Sequence, residues 1–227
     1  MAQIDHGLLH HTILMQFLNH GYPPTIRELS SSFGAPRERV VAALQSLQGE
    51  HGVVLQPASS EILVAHPFSA APTNFWVECR TGSWWGNCAW CSMGIAALVG
   101  GDLRVTTTLG GEARQVGVRV SGGEVLDEYL VHFPVPMARA WENVTYTCST
   151  MLLFESHSAI DDWCARHRIA RGDVQPLSRV LALAKAWYGQ HLEKNWRKWS
   201  AAEAKQLFER FQLSGPTWDI PQTADRF

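Results

Sequence analysis

The chain has 227 residues, of which 46% are hydrophobic and 18% are charged, and its formal net charge is −2. This composition indicates a globular protein with a sizeable core. The near-neutral charge excludes a general electrostatic attraction to nucleic acid or to anionic membranes. No apolar run approaches the roughly 18 residues that a membrane span needs, so no membrane association is expected. The first residues lack the basic start and apolar stretch of a secretory signal, and a cytoplasmic location is therefore expected.

Two residue counts are unusual. The chain contains five cysteines and ten tryptophans. An odd number of cysteines in a cytoplasmic protein argues against a disulfide framework and favours free thiols or thiolate chemistry.

Residues 1–65 are predicted to form a winged helix-turn-helix-like domain. Apolar residues in 13–18 share one helical face, a capping box at Thr25 opens a second helix, and Pro36 precedes a third. Two short strand-like pieces, 53–55 and 62–64, add a hairpin. The domain carries three basic side chains against five acidic ones. Since DNA readers neutralise several phosphates with Lys and Arg, we expect a structural or dimerising module and no DNA partner.

Residues 66–170 are predicted to form a strand-rich core flanked by helices. Val, Thr and alternating polar positions mark strands within 75–79 and 102–133, with Gly-Gly pairs as hairpin breaks. Residues 89–99 indicate a short buried helix, and the run 144–154 indicates a buried strand. A further helix is expected at about 158–168.

Residues 171–227 are predicted to form a helical extension that packs on the core, which completes an α+β fold. Helices are expected at about 176–192 and 200–212, the latter opened by a capping box at Ser200. Aromatic and basic residues alternate in this region, which favours aromatic anchors with basic tips that reach solvent over stacking on single-stranded nucleic acid. A lid over a pocket and a contact in a homodimer are further roles that this pattern allows.

The most reactive motif is the C-x-x-C formed by Cys88 and Cys91. A cysteine near a helix N-terminus is favoured as the thiolate, which is the nucleophilic and metal-binding form. A single C-x-x-C fits a redox dithiol, half of a zinc site or a soft-metal site, but no second C-x-x-C is present. The structural alternative is a pair of buried cysteines that act as small hydrophobic residues.

The segment from Cys88 to Gly100 resembles the catalytic-cysteine segment of organomercurial (alkylmercury) lyases. The second cysteine of that family is matched by Cys148, with Trp163 on a helix downstream, and the similarity covers about residues 5–168. The resemblance implies that the Cys91 and Cys148 thiolates take the mercury of R–Hg⁺ between them. A carboxylic acid then protonates the departing carbon. Sulfur suits this task because thiolates outcompete oxygen and nitrogen for soft metals.

The chain departs from the family pattern at Gly94, where the resemblance leads us to expect an aspartate. Cys88 and Ser92 are therefore candidates for an auxiliary thiol or proton carrier. Three further candidate donors are His66, Glu78 and Glu155. The predicted metal ligands are Cys91, Cys148 and Cys88, and the residues predicted to line the pocket are Trp85, Trp90, Phe68 and Gly94.

The resemblance implies a lyase whose substrate is a small organometallic or otherwise thiol-reactive molecule. No cofactor is required, and cellular thiols or a thiol protein would accept the mercury. Without the acid, the same thiols fit a non-catalytic trap for mercury or copper, a metal-responsive regulator, or a thiol-dependent biosynthetic enzyme. Two thiolates that share one metal are expected to lie roughly 3.5–4.5 Å apart, given metal–sulfur bonds near 2.3 Å or longer.

Overall fold

The computed structural model describes residues 3–220. Residues 1–2 of the predicted first region and residues 221–227 of the predicted third region lie outside the described residues. The described α-helices are α1 (His6–His20), α2 (Ile26–Phe33), α3 (Arg37–Gly49), α4 (Ala89–Val99), α5 (Val144–Thr150), α6 (His157–His167), α7 (Leu177–Tyr188) and α8 (Ala201–Arg210). The strands are β1 (Val54–Leu55), β2 (Ile62–Ala65), β3 (Phe68–Ser69), β4 (Phe75–Cys79), β5 (Gly82–Gly86), β6 (Leu103–Thr108), β7 (Gln115–Ser121), β8 (Glu124–Val125), β9 (Leu130–Phe133), β10 (Leu153–Phe154) and β11 (Asp173–Pro176).

The strands form two antiparallel sheets. The larger sheet has eight strands in the order β1-β2-β3-β5-β4-β6-β7-β8, and the smaller has the order β10-β9-β11. Helices packed on antiparallel sheets confirm the predicted α+β class. The three N-terminal helices and the hairpin lie where they were predicted, and β2 pairs with β3, which continues the hairpin into the large sheet. The winged-helix assignment and the division into three regions stay predictions.

Helix α1 is attached to the large sheet through Phe17. The Phe17 ring is fully buried and stacks on Phe68 of β3, with ring centroids 5.2 Å apart. The Trp84 indole N–H donates a hydrogen bond of 2.7 Å to the Phe17 carbonyl. These contacts bring the N-terminal helices over the strands that lead to the cysteines.

We expect Phe17→Ala to lower the free energy of unfolding by about 3–5 kcal/mol, because it leaves a cavity at the junction between α1 and the sheet. Urea unfolding followed by tryptophan fluorescence measures this loss. Leu8→Ala is the matched control, since Leu8 lies in the same helix and is 38% exposed. A loss at Phe17 no larger than that at Leu8 would contradict the anchoring role.

Helix α4 lies at the centre of the molecule. Its first eight residues, 89–96, are all buried, and the helix packs against β4 and β5 on one side and α7 on the other. A helix that is apolar on all faces is expected in such a position. The C-x-x-C motif thus lies at the N-terminal end of a helix that packs between the sheet and α7.

The prediction of a strand over 144–154 is wrong for most of that segment. Residues Val144–Thr150 form α5, and only Leu153–Phe154 form a strand. Asn143 caps the helix, and the hydroxyl of Thr147 donates to the Asn143 carbonyl at 3.1 Å. Such local hydrogen bonds, together with tertiary packing, override the strand preference of β-branched residues. Cys148 therefore lies in the last turn of a short helix.

The C-terminal region contains the predicted helices as α7 and α8. The capping box at Ser200 is present, with Glu203 completing it. Within residues 3–220, no helix combines the length and the apolar character that crossing a bilayer requires.

Candidate functional site

The site lies where the end of α5 meets the start of α4. The Ala89 N–H donates a hydrogen bond of 3.2 Å to the carbonyl of Met151, the residue that follows α5. This contact places Cys148, in the last turn of α5, beside Cys91, in the first turn of α4. The Asn87 N–H donates to the Pro67 carbonyl at 3.2 Å, which brings the preceding residue, His66, to the same place.

Three side chains from these segments can share one metal ion. The ligand atoms of His66, Cys91 and Cys148 all lie within 4.8 Å of one another. The two cysteines are buried, and His66 is partly buried. His66 Nε2 lies 3.7 Å from the Cys148 sulfur and 3.2 Å from the Asn87 side-chain nitrogen. This grouping has the soft donors that a mercury or copper ion prefers.

Cys88 supports the site from the helix cap. Its sulfur accepts a hydrogen bond of 3.3 Å from the Cys91 N–H, and so it caps α4. Burial raises the pKa of the Cys88 thiol well above its ordinary value, and its hydrogen bonds with Cys148 and Cys91 raise it further. Cys88 therefore keeps its proton, and its role as an auxiliary thiol stays a prediction.

Cys91 is the thiolate of the site. Burial raises the pKa of its thiol, but hydrogen bonds from Cys148, Cys88 and Tyr188 oppose burial and hold the pKa well below its ordinary value. The N-terminus of α4 acts in the same direction, because the helix dipole stabilises negative charge there.

Cys148 keeps its proton. A hydrogen bond from Cys88 lowers the pKa of the Cys148 thiol, but the hydrogen bond to Cys91, burial and the negative charge on Cys91 together leave it well above its ordinary value. Its place at the C-terminal end of α5 also disfavours a negative charge. The two sulfurs that face each other thus carry one proton between them.

The thiols face a cavity of about 60 Å³. The core contributes Trp90, Trp141 and Met151 to its walls, and the N-terminal region contributes His10 and His51. Five more lining residues come from the C-terminal region, namely Trp187, Tyr188, His191, Trp196 and Lys198. The cavity is therefore lined by segments from all three predicted regions.

Lys198 differs from its sequence-based interpretation as a basic side chain that reaches solvent. It is partly buried, and its Nζ lies 4.4 Å from the centroid of the Trp141 ring, in a cation–π contact. Burial lowers the pKa of Lys198 to about 7, while the negative charge of Cys91 opposes that shift. It is the one Lys or Arg among the lining residues of the described chain.

Three residues predicted to line the pocket lie elsewhere. Trp85 points to the other face of the sheet from buried Trp84, because side chains alternate along β5, and its ring packs 4.6 Å from that of Trp76. Phe68 lies beneath Phe17, away from the cavity. Gly94 is one helical turn beyond Cys91 and faces the Tyr188 ring. The fourth, Trp90, lines the cavity as expected.

Most of the candidate proton carriers lie away from the cavity. The Ser92 hydroxyl donates to the Ala89 carbonyl at 2.7 Å and does not reach the cavity. Glu78 is exposed and accepts a hydrogen bond from Trp76, whereas Glu155 forms a surface ion pair with Arg114 at 2.9 Å. His66 alone of the three further candidates reaches the thiols. Across residues 3–220, no aspartate or glutamate lines the cavity.

Sequence reasoning missed Tyr188 as a site residue. Its hydroxyl lies 3.6 Å from the Cys91 sulfur. The only signal was its place at the end of a predicted amphipathic helix, and that pattern indicates packing rather than chemistry. The buried His10 and His191, which also line the cavity, gave no signal either.

Comparison with known proteins identifies the family of this chain. The alkylmercury lyase family model matches residues 68–189, which is more than half of the chain. A solved structure described as the mercury-bound form of MerB2 shares the fold, with a TM-score of 0.60 and 18% identity over 82% of this chain and 90% of that chain. A comparison with curated proteins finds no match. The buried cysteines lie within the matched segment, and the chain belongs to the alkylmercury lyase family.

Proposed function

We propose that the protein binds organomercury compounds through Cys91 and Cys148 and cleaves the carbon–mercury bond by protonolysis. The observation that carries this proposal is a buried thiolate, a thiol and an imidazole whose ligand atoms lie within 4.8 Å of one another in one cavity. Such a set binds a soft metal and supplies a proton at the same place.

The protonation states define the order of the steps. The Cys91 thiolate displaces the ligand X from R–Hg–X and forms the first sulfur–mercury bond. The Cys148 sulfur forms the second bond as its proton leaves, and the electron pair of the carbon–mercury bond takes up a proton to give R–H. The products are the hydrocarbon, X⁻ and a mercury dithiolate, so charge and protons balance without a cofactor.

His66 is suited to be a third donor to mercury. Burial lowers the pKa of His66, although the negative charge of Cys91 opposes the shift, so the ring is neutral at physiological pH. A neutral imidazole nitrogen is a common metal ligand. The His66 ring would hold the mercury while the carbon–mercury bond is replaced by the bond to the Cys148 sulfur.

The mercury must then leave the two sulfurs. We propose that cellular thiols or a thiol protein remove it by ligand exchange, because only sulfur ligands compete with a dithiolate for mercury.

A non-catalytic soft-metal trap is the second candidate, favoured by the lack of a carboxylic acid among the described lining residues. One experiment separates the two. The protein is incubated with methylmercury or phenylmercury and excess thiol, and the headspace is analysed for methane or benzene. Hydrocarbon release supports the lyase, whereas stoichiometric retention of the intact organomercury supports the trap.

We expect Cys148→Ser to slow hydrocarbon release by roughly 10²-fold or more, because it removes both the second sulfur and the proton held there. The variant should still bind organomercury through Cys91, as measured by protein-bound mercury after gel filtration. Cys164→Ser is the matched control, since Cys164 is also buried but lies on α6 against His132. Release by Cys148→Ser at the wild-type rate would contradict the paired mechanism.

A further inference from the structure

Protonolysis needs a protic group beside the departing carbon, which must therefore lie close to the sulfurs that hold the mercury. The Thr147 hydroxyl donates to the Ala140 carbonyl at 2.9 Å. The Lys198 ammonium lies over the Trp141 ring. Tyr188, by contrast, directs its hydroxyl at a sulfur of the site, 3.6 Å from Cys91. Because an S–H group is only a weak donor, we assign the tyrosine hydroxyl as the donor in this contact.

The packing of α7 on α4 fixes the position of the Tyr188 ring. A Cβ atom added at Gly94 would lie 2.5 Å from Tyr188 Cε2, a distance that real Cβ atoms do not show. Glycine at this position therefore lets the ring lie directly against the α4 backbone. His191 packs on the ring with centroids 4.7 Å apart, and Tyr188 is only 3% exposed. The hydroxyl is thus held at the thiolate by its surroundings.

We propose that Tyr188 donates the proton to the departing carbon, an inference that rests on the proposed lyase function. Once the Cys91 sulfur bonds to mercury, it becomes a weaker hydrogen-bond acceptor and the phenol hydroxyl is released from it. The O–H bond then breaks, and the electron pair of the carbon–mercury bond forms the C–H bond. The Cys148 proton restores the phenol as the Cys148 sulfur bonds to mercury. A departing carbanion is a far stronger base than a phenolate, so a phenol is acidic enough for this transfer.

The test is Tyr188→Phe, which keeps the ring and removes only the hydroxyl. Single-turnover release of methane from methylmercury is measured together with the amount of mercury that the protein retains. We expect release to fall by roughly 10²-fold or more while mercury retention stays at the wild-type level. Tyr146→Phe is the matched control, because Tyr146 lies on α5 near Cys148 but is 46% exposed and outside the cavity.

The possible results lead to different conclusions. Release by Tyr188→Phe within about threefold of wild type would overturn the proposal. Loss of mercury retention together with release would also overturn it, because that result identifies Tyr188 as a packing residue. If the wild-type protein retains mercury but releases no hydrocarbon, the lyase function itself fails. This outcome differs from the case in which the wild-type protein releases hydrocarbon and Tyr188→Phe releases it equally fast, because that case overturns only the role of Tyr188.

Discussion

Replacing Cys91 by serine is expected to reduce hydrocarbon release from an organomercury substrate by roughly 10³-fold or more, because single removal of a nucleophile disables the whole catalytic unit. Cys91 is the low-pKa thiolate of the site, whereas a serine hydroxyl stays protonated and is a poor ligand for a soft metal. Protein-bound mercury should fall together with the rate. This distinguishes Cys91 from Cys148, whose replacement leaves the first sulfur–mercury bond intact.

The matched control is Cys79→Ser. Cys79 lies at the end of β4, where its sulfur contacts the Thr81 hydroxyl at 3.1 Å, outside the cavity. This variant should release hydrocarbon at the wild-type rate. It therefore shows whether the loss of any single thiol, irrespective of its position, lowers activity. Equal loss of activity in both variants would contradict the assignment of Cys91.

The free energy of unfolding is expected to fall steeply as the pH is lowered from about 6.5 to 4. Burial lowers the pKa of His10 to about 3 and that of His132 to about 4. In the unfolded chain these residues take up protons near pH 6.5, whereas in the folded protein they remain neutral. Each therefore stabilises the fold above pH 6.5, and below it each removes about 1.4 kcal/mol per pH unit until its folded pKa is reached.

His10→Phe tests this dependence directly. The His10 ring stacks on Trp196 with centroids 3.6 Å apart, and phenylalanine retains an aromatic ring that does not titrate. Urea unfolding at several pH values should show a slope about 1.4 kcal/mol per pH unit smaller than that of wild type. His20→Phe, at an exposed position of the same helix, is the control. An unchanged slope in His10→Phe would contradict the buried, neutral state of His10.

Most helices were predictable because their signals are local. The capping boxes at Thr25 and Ser200 are complete within four residues, and both are present in the structure. The buried helix α4 has the predicted bounds, since an apolar run between two loops leaves few alternatives. The Gly-Gly hairpin at Gly122 and Gly123 is also confirmed, with both residues at positive φ.

The segment around Cys148 shows where local reasoning fails. Its β-branched and aromatic residues favour a strand, yet the fold uses it as a helix whose end abuts α4. Strand preference largely reflects the packing of neighbouring strands, and in the two described sheets no strand pairs with residues 144–150.

The sequence by itself determined the family of this protein: a C-x-x-C before a buried helix and a second matching cysteine carry a resemblance to alkylmercury lyases that the family match confirms. Only the tertiary structure decided what surrounds the thiolate. His66 and Tyr188 lie 25 residues before and 97 residues after Cys91, and chain spacing carries no information about such contacts. The physical reason is that their positions follow from helix–helix packing, in which the missing side chain of Gly94 leaves room for the Tyr188 ring. Gly94 thus has no side chain that could donate a proton, but its small size lets the Tyr188 phenol lie beside Cys91.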